Sequence, residues 1–435
     1  HAFAQEQWHG YVRSITESPA SYTTLIPFAS DPATQAAVSA LVSAGALTPV
    51  AVEESAPFPA WSTAAVRPDA AIGHLRRWNA LIANIERLLS TGPATWEAWK
   101  AIASQWADLT VQRYAAAELP DPACANQYTA LAARLAPLFA AWLPSGYPQL
   151  ASRRVPVPHH LCHIPHVLAQ RTASGQRVAL IVLDGMSLAA WRTIWSVWTA
   201  RHPTWRAGET LMLAQIPTIT AISRQALLAG KPPRTFPDSL TNNQQESAHW
   251  RRFWEAHNLP ANAVAYESIS ATLARPQPTA LDSLHTRALA VVLPDIDSLV
   301  HGATEGLAGL YAGLRVWLDD THAGIGSLWL ETLIQTLLDH GYRVAITSDH
   351  GHVEAVGIGQ PQEGVTVITR SKRARLYASE RAARNVQSTF SNTTLWYDDG
   401  ILPDACWVLM ANGGEAFAPR GQRVVSHGGI TLDET

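Results

Sequence analysis

Four short runs of apolar residues constrain this chain most, because three of them end in an acid. They are VALIVLD (178–184), TLMLAQIP (210–217), VVLPDID (291–297) and RVAITSD (343–349). Runs of this length without polar alternation suit parallel strands covered by helices on both faces. Helical segments fall between them, notably over 187–200 and 305–340. The expected fold is therefore α/β, a mostly parallel sheet sandwiched by helices. In such sheets ligands bind beyond the carboxyl ends of the strands. Asp184, Asp297 and Asp349 each close one of the runs there.

The N-terminal third reads differently. DAAIGHLRRWNALIANIERLLSTG (69–92) places Ile72, Leu75, Trp78, Leu81, Ile82, Ile85 and Leu88 on one helical stripe and stops at Gly92-Pro93. Segments 94–116 and 126–143 repeat that character. This predicts an all-helical domain over 1–150, a Pro- and His-rich linker over 151–174 and the α/β domain over 175–435, with an insertion at about 231–289 that could form a small lid.

Composition bounds the class. Hydrophobic residues make up 47% and charged residues 15%, so the chain is globular. A formal net charge of −3 gives no overall pull toward nucleic acid. The three cysteines, Cys124, Cys162 and Cys406, are far apart and odd in number, which argues against a disulfide scaffold and fits a reducing cytoplasm. No apolar run reaches membrane-spanning length and no signal peptide opens the chain. The chain starts at His1 and reads as a fragment or a processed product.

Polar residues gather at the strand ends. LDG carries Asp184. PTITAISRQALLAG (217–230) carries Thr218, Thr220, Ser223 and Arg224 at the start of an expected helix. DSLVH carries Asp297 and His301, SDHGH (348–352) carries Asp349, His350 and His352, and SHGG carries His427. Mixed His and Asp ligation suits zinc or manganese, and several charged ligands suit two ions. Two divalent ions about 4 Å apart clamp the attacking and leaving oxygens of a phosphoryl transfer. A threonine held on one ion is an activated nucleophile. Each piece alone has an ordinary reading: an Asp-Gly after a strand is a common turn, and a lone histidine is usually a satisfied core or surface residue.

The ordered set VLDG, PTITAISRQALLAG, DSLVH, SDHGH and SHGG resembles the alkaline phosphatase superfamily and, within it, the PglZ domain of BREX-type phage defence, over about 160–435. The resemblance implies a metal-dependent phosphoesterase. Its PTIT stretch points to a phosphodiesterase acting on a nucleotide or nucleic acid, with other phage-defence proteins as partners, in the cytoplasm and without a membrane. It implies Thr220 as nucleophile and Thr218 as its structural neighbour. One ion would be held by Asp184, Thr220, Asp349 and His350, and the other by Asp297, His301 and His427. Zinc is the expected metal, with manganese as the alternative. Asp295 is a rival to Asp297, and His352 has no ligand role in this scheme. Arg224, one helical turn after Thr220, is placed to steady the substrate phosphate. The contrasting reading is a catalytically weak or inactive metal-binding scaffold subunit of a defence complex.

Two further segments resemble sites. PHHLCHIPHVL (158–168) holds four histidines and a cysteine, but the spacing matches no zinc motif, and the plain reading is a segment docked on the α/β domain. TRSKRARLYASERAARN (369–385) is the basic cluster. It reads first as a solvated face or a charge-guarded hairpin edge, and second as a phosphate-facing patch.

Overall fold

A computed structural model describes residues 2–17, 23–53, 56–114, 122–152, 158–269, 277–319, 326–362, 367–397 and 400–435. The chain divides into two compact units, residues 1–86 with 117–124, and residues 87–116 with 125–435. The boundary therefore does not fall at the expected position near 150. Most of the helical residues between 87 and 151 belong to the larger unit.

The smaller unit contains α1 (Ala2–Thr16), α2 (Pro32–Ser43), most of α3 (Ala70–Ser90) and a two-stranded parallel sheet of β1 (Val50–Val52) and β2 (Val66–Pro68). This region is helical, but with that small sheet it is not all-helical. Trp8, Tyr11, Phe28, Val38, Leu47 and Val52 form its core. The stripe on α3 is interrupted: Trp78 and Ile85 are buried, whereas Ile72 and Leu75 are exposed.

In the larger unit, α4 (Trp96–Tyr114) and α5 (Pro122–Ala151) precede α6 (Ile164–Ala173). The strand β3 (Arg177–Leu183) then leads to α7 (Leu188–Arg201), α8 (Thr220–Ala229), α9 (Glu246–Ala256) and β4 (Val264–Ser268). Next come β5 (Ala288–Leu293), α10 (Asp295–Gly302), α11 (Gly306–Asp319), α12 (Ser327–Asp339) and β6 (Tyr342–Thr347). The central sheet has the order β4-β5-β3-β6, with every neighbouring pair parallel. Val178 through Leu183 are fully buried, because helices cover both faces. Each buried Val, Leu or Ile of the run contributes roughly 1.5–3 kcal/mol by burial, which explains why the run is apolar without alternation.

The rest of the chain forms β7 (Val353–Gly357), β8 (Val367–Arg370), β9 (Ala374–Tyr377), α13 (Glu380–Thr389), β10 (Thr393–Trp396), β11 (Trp407–Ala411), β12 (Glu415–Ala416) and β13 (Arg423–Ser426). Strands β10-β11-β9-β8 make an antiparallel sheet, and β12-β7-β13 make a small mixed one.

Two expectations fail here. TLMLAQIP is not a strand. Its backbone groups find other partners: Leu213 N donates to His159 O, Ala214 N to Thr435 O, Gln215 N to Ser223 Oγ, and Ile216 N to Tyr147 Oη. With those groups engaged no ladder is needed. The fourth central strand comes instead from the insertion at 231–289, as β4. The same insertion supplies α9, whose Trp250, Phe253 and Trp254 pack against the sheet. Those residues are part of the core and do not form a lid.

The expected linker is also part of the packed structure. The segment 158–168 docks through its imidazoles: Nε2 of His160 bonds Tyr147 O at 3.0 Å, that of His163 bonds Ala151 O at 3.0 Å, and that of His166 bonds Gly230 O at 2.9 Å. Burial, then neighbouring His163, pushes the pKa of His160 down to about 3. An unfolded histidine takes up a proton near pH 6.5, so this contribution to stability is present above that pH and is lost as pH falls toward 3. We expect the melting temperature of the wild type to drop more steeply from pH 7 to 4.5 than that of His160→Gln, whose side chain cannot charge. Parallel melting curves would refute this.

Candidate metal centre

The central register aligns the acids. Leu183 lies opposite Leu293, and Val182 opposite Thr347. The chain therefore passes Asp184, Asp297 and Asp349 at the carboxyl end of the sheet. Asp184 follows β3, Asp297 lies in the first turn of α10, and Asp349 lies two residues beyond β6. Gly185 makes this convergence possible. Its φ is +74°, and a Cβ there would stand 3.2 Å from Cβ of Asp297.

Two clusters result, Asp184 with Asp349 and His350, and Asp297 with His301 and His427. In the first, Nε2 of His350 lies 3.7 Å from Asp184 Oδ1 and 3.8 Å from Asp349 Oδ2. Thr220 Oγ1, at the start of α8, is 3.0 Å from the same Nε2. Nδ1 of His350 bonds Gly351 O at 2.9 Å, which leaves the Nε2 lone pair turned to the cluster. In the second, Asp297 Oδ1 lies 3.8 Å from His427 Nε2, and Asp297 Oδ2 lies 3.2 Å from His301 Nε2. Nδ1 of His427 bonds Thr218 O at 2.7 Å. The rings of His350 and His427 stack at 3.8 Å and so join the clusters.

Titration behaviour follows from these neighbours. Burial, with the Asp184 charge beside it, raises Asp349 well above the ordinary carboxylate range. Burial also pushes Asp297 up, but His301, His427 and His350 outweigh it and leave the pKa at about 2. His427 is lowered to about 4, by burial first and then by His350. His301 is raised by its bond to Asp297.

The donor set fits divalent cations. Asp184 Oδ1, Asp297 Oδ1 and Asp349 Oδ2 are buried and accept no hydrogen bond. Buried carboxylate oxygens of this kind are costly unless a cation meets them. Two imidazoles present lone pairs fixed by backbone acceptors on their opposite nitrogens.

The rival acid Asp295 is engaged elsewhere, with its Oδ1 accepting from Trp317 Nε1 at 3.0 Å. His352 is buried and bonds Gly185 O at 2.8 Å, so it braces the Asp184 turn from behind. Thr218 is likewise structural: its Oγ1 donates to Gly429 O and accepts from Gly428 N, fixing the SHGG turn. At Gly428 a Cβ would meet Ser371 Oγ, and φ is +120°, so only glycine lets the turn lie against that residue.

Arg224 does not occupy the role expected of it. Its guanidinium is buried, bonding Asp184 Oδ2 and, at 2.7 Å, Glu246 Oε1. Asp349 Oδ2 lies 3.7 Å away. Three carboxylates hold it behind the acids, so it balances their charge and is not available to a substrate phosphate. Glu246, which also accepts from Tyr266 Oη, escaped the sequence reading because it lies in the polar insertion with no motif around it. The basic cluster is a surface patch only in part: Lys372, Arg381 and Arg384 are exposed, but two of its arginines are not. Arg373 is fully buried and bonds Glu434 through Nε at 3.0 Å and Nη2 at 2.9 Å. Arg375 is buried over the Phe417 ring.

No helix among the described residues is long and apolar enough to cross a membrane. A comparison with curated proteins finds no match. Among solved structures, murine ectonucleotide pyrophosphatase/phosphodiesterase 5 is similar at 14% identity and a TM-score of 0.42, over 60% of this chain and 86% of that one. An inactive variant of the same murine protein in complex with AMP gives 12% identity and a TM-score of 0.41 over the same shares. The family model described as the BREX system PglZ alkaline phosphatase-like domain matches residues 165–435, and the chain belongs to that family.

Proposed function

We propose that the chain is a metal-dependent phosphoesterase that cleaves a phosphodiester of a nucleotide or nucleic acid in phage defence. The observation that carries this is the contact of Thr220 Oγ1 with His350 Nε2 beside three carboxylates that each have a buried oxygen without a hydrogen bond. Asp184, Thr220, Asp349 and His350 would hold one ion, and Asp297, His301 and His427 the other. When bound, such ions stabilise an ionised threonine oxygen and the negative charge that develops on phosphorus. The chain's own groups do the rest. The N-terminus of α8 presents backbone N–H groups toward the oxygens around Thr220. Thr220 gives up its hydroxyl proton to solvent, its Oγ1 forms a bond to phosphorus as the bond to the leaving oxygen breaks, and the leaving alkoxide takes a proton from solvent. Water then attacks the phosphothreonine, releasing the phosphate monoester and restoring the hydroxyl. The diester preference, the zinc and the defence role rest on the family and its PTIT stretch.

Purified protein should hold one or two divalent ions per chain and hydrolyse bis(p-nitrophenyl) phosphate when given Zn²⁺ or Mn²⁺. Chelation should abolish turnover and lower the melting temperature, because the clustered carboxylates then repel one another uncompensated. Protein that binds metal and gains stability but never turns over a diester would support the scaffold reading. Protein that neither binds nor is stabilised would refute both.

A further inference from the structure

Ser223 is fully buried in α8, one helical turn after Thr220, and its hydroxyl serves two backbone partners. It accepts from Gln215 N at 3.1 Å and donates to the carbonyl of Asp349. A serine hydroxyl has a single proton. With the Gln215 N–H aimed at the oxygen, that proton is committed to Asp349 O. The contacts close a ring. Thr220 Oγ1 lies 3.0 Å from His350 Nε2, His350 follows Asp349 in the chain, and Asp349 O is tied back to the turn of α8 that begins at Thr220.

Both sides of that ring are also held independently. Ser348 Oγ accepts from Met186 N at 2.9 Å and donates to His350 O at 2.6 Å. Gly185 N donates to Asp349 Oδ1 at 3.2 Å. Asp349 and His350 are therefore fastened to the segment after β3 without help from α8. The second turn of α8 is docked as well, through Arg224 on Asp184 Oδ2 and Gln225 Nε2 on Ser239 O at 2.7 Å. Among the described residues, the Ser223 hydroxyl is what bonds α8 to the backbone of the Asp349–His350 pair.

On the phosphoesterase reading above, we propose that Ser223 is a positioning residue, which sets the distance between the Thr220 hydroxyl and the ion held by Asp184, Asp349 and His350. Its loss leaves the helix docked and the ligands fastened, but it shifts the first turn of α8 relative to them. A displacement of about 1 Å at a reacting group costs on the order of a hundred-fold in rate. A serine that only satisfied two backbone groups would affect stability and leave the alignment alone.

The test uses the full chain loaded with Zn²⁺ or Co²⁺, well below its melting temperature. It compares wild type, Thr220→Ala, Ser223→Ala, Ser223→Cys and the double variant Thr220→Ala/Ser223→Ala. Ser223→Ala should lower kcat on bis(p-nitrophenyl) phosphate roughly ten- to hundred-fold, with KM and metal content near wild type. The visible absorption of bound Co²⁺ should move toward that of Thr220→Ala, because the threonine oxygen no longer reaches the ion. In the Thr220→Ala background the same substitution should change residual turnover by no more than about two-fold, since it acts through a hydroxyl already removed. Ser223→Cys, close to serine in size but a weaker donor, should fall between wild type and Ser223→Ala, and it carries the same comparison if the alanine variant does not fold. Wild-type kcat and a wild-type Co²⁺ spectrum in the Ser223 variants would overturn the inference and leave the hydrolytic reading intact. Loss of metal, or equal losses in both backgrounds, would overturn it too, by marking an ordinary structural serine. A wild type that turns over no diester, while Ser223→Ala still gives the Co²⁺ spectrum of Thr220→Ala, would uphold the positioning role and overturn the hydrolytic reading instead.

Discussion

Thr220→Ala should leave metal content close to that of the wild type and reduce diester turnover by roughly a thousand-fold or more, about 4 kcal/mol of barrier. The hydroxyl lost is the one that sits 3.0 Å from His350 Nε2 at the head of α8. The aspartates and histidines of both clusters remain in place without it. Thr220→Ser should retain part of the activity, because the oxygen survives. Thr218→Ala should behave differently. Its hydroxyl bridges Gly428 and Gly429, so its loss loosens the turn that delivers His427 and should lower metal affinity before it affects chemistry at saturating metal. Elemental analysis alongside steady-state kinetics separates the two. Wild-type turnover in Thr220→Ala would exclude the covalent step and assign the attack to water.

Arg373→Ala should be the most destabilising single change in this part of the molecule, by about 3–5 kcal/mol, because it leaves a fully buried carboxylate without its counter-charge. Burial alone would push Glu434 up, yet Arg373 and the bonds from Gly429 and Thr431 hold it below its ordinary value. A carboxylate lowered in this way contributes stability above its unfolded pKa, and that contribution is lost as pH falls through the folded value. The wild type should therefore lose stability in acid through this pair, and Arg373→Ala should show less of that loss. Glu434 also accepts from Gly429 N and Thr431 Oγ1, and its carbonyl accepts from Gly351 N. The substitution should thus loosen both histidine loops, so metal affinity falls with the melting temperature. Thermal melts with and without Zn²⁺ test this. If Arg373→Ala melts with the wild type, the pair does not hold the C-terminal segment.

The contrast between these two residues shows what the chain reveals before it folds. Thr220, His350, Asp349 and Asp184 lie within a few residues of a recognisable strand end or helix start, and such local signals are written in consecutive letters. The strand Arg177–Leu183 was legible for the same reason, since burial on both faces demands an unbroken apolar run. Asp295 stayed a rival to Asp297 in the sequence because the partners that separate them are distant: Trp317, 22 positions away, engages Asp295, and His427 faces Asp297.

Long-range partners decided the rest. In the sequence Arg224 reads as a cation facing the substrate, and Arg373 as part of a basic cluster. Each is buried because a glutamate reaches it from 22 and 61 positions away respectively, and only such pairing makes a buried guanidinium tolerable. TLMLAQIP has the composition of a strand, but its backbone groups are taken by a loop, a tyrosine and the chain's last residue, so no ladder forms. Val264–Ser268 is too short and too mixed to read as a strand, yet it completes the sheet at its edge, where one side needs no partner and the apolar requirement relaxes. The sequence by itself determined which residues stand at the strand ends and what chemistry their types allow. Only the folded chain decides which charges are neutralised inside, as at Arg224 and Arg373, because burial and pairing depend on partners that consecutive letters do not name.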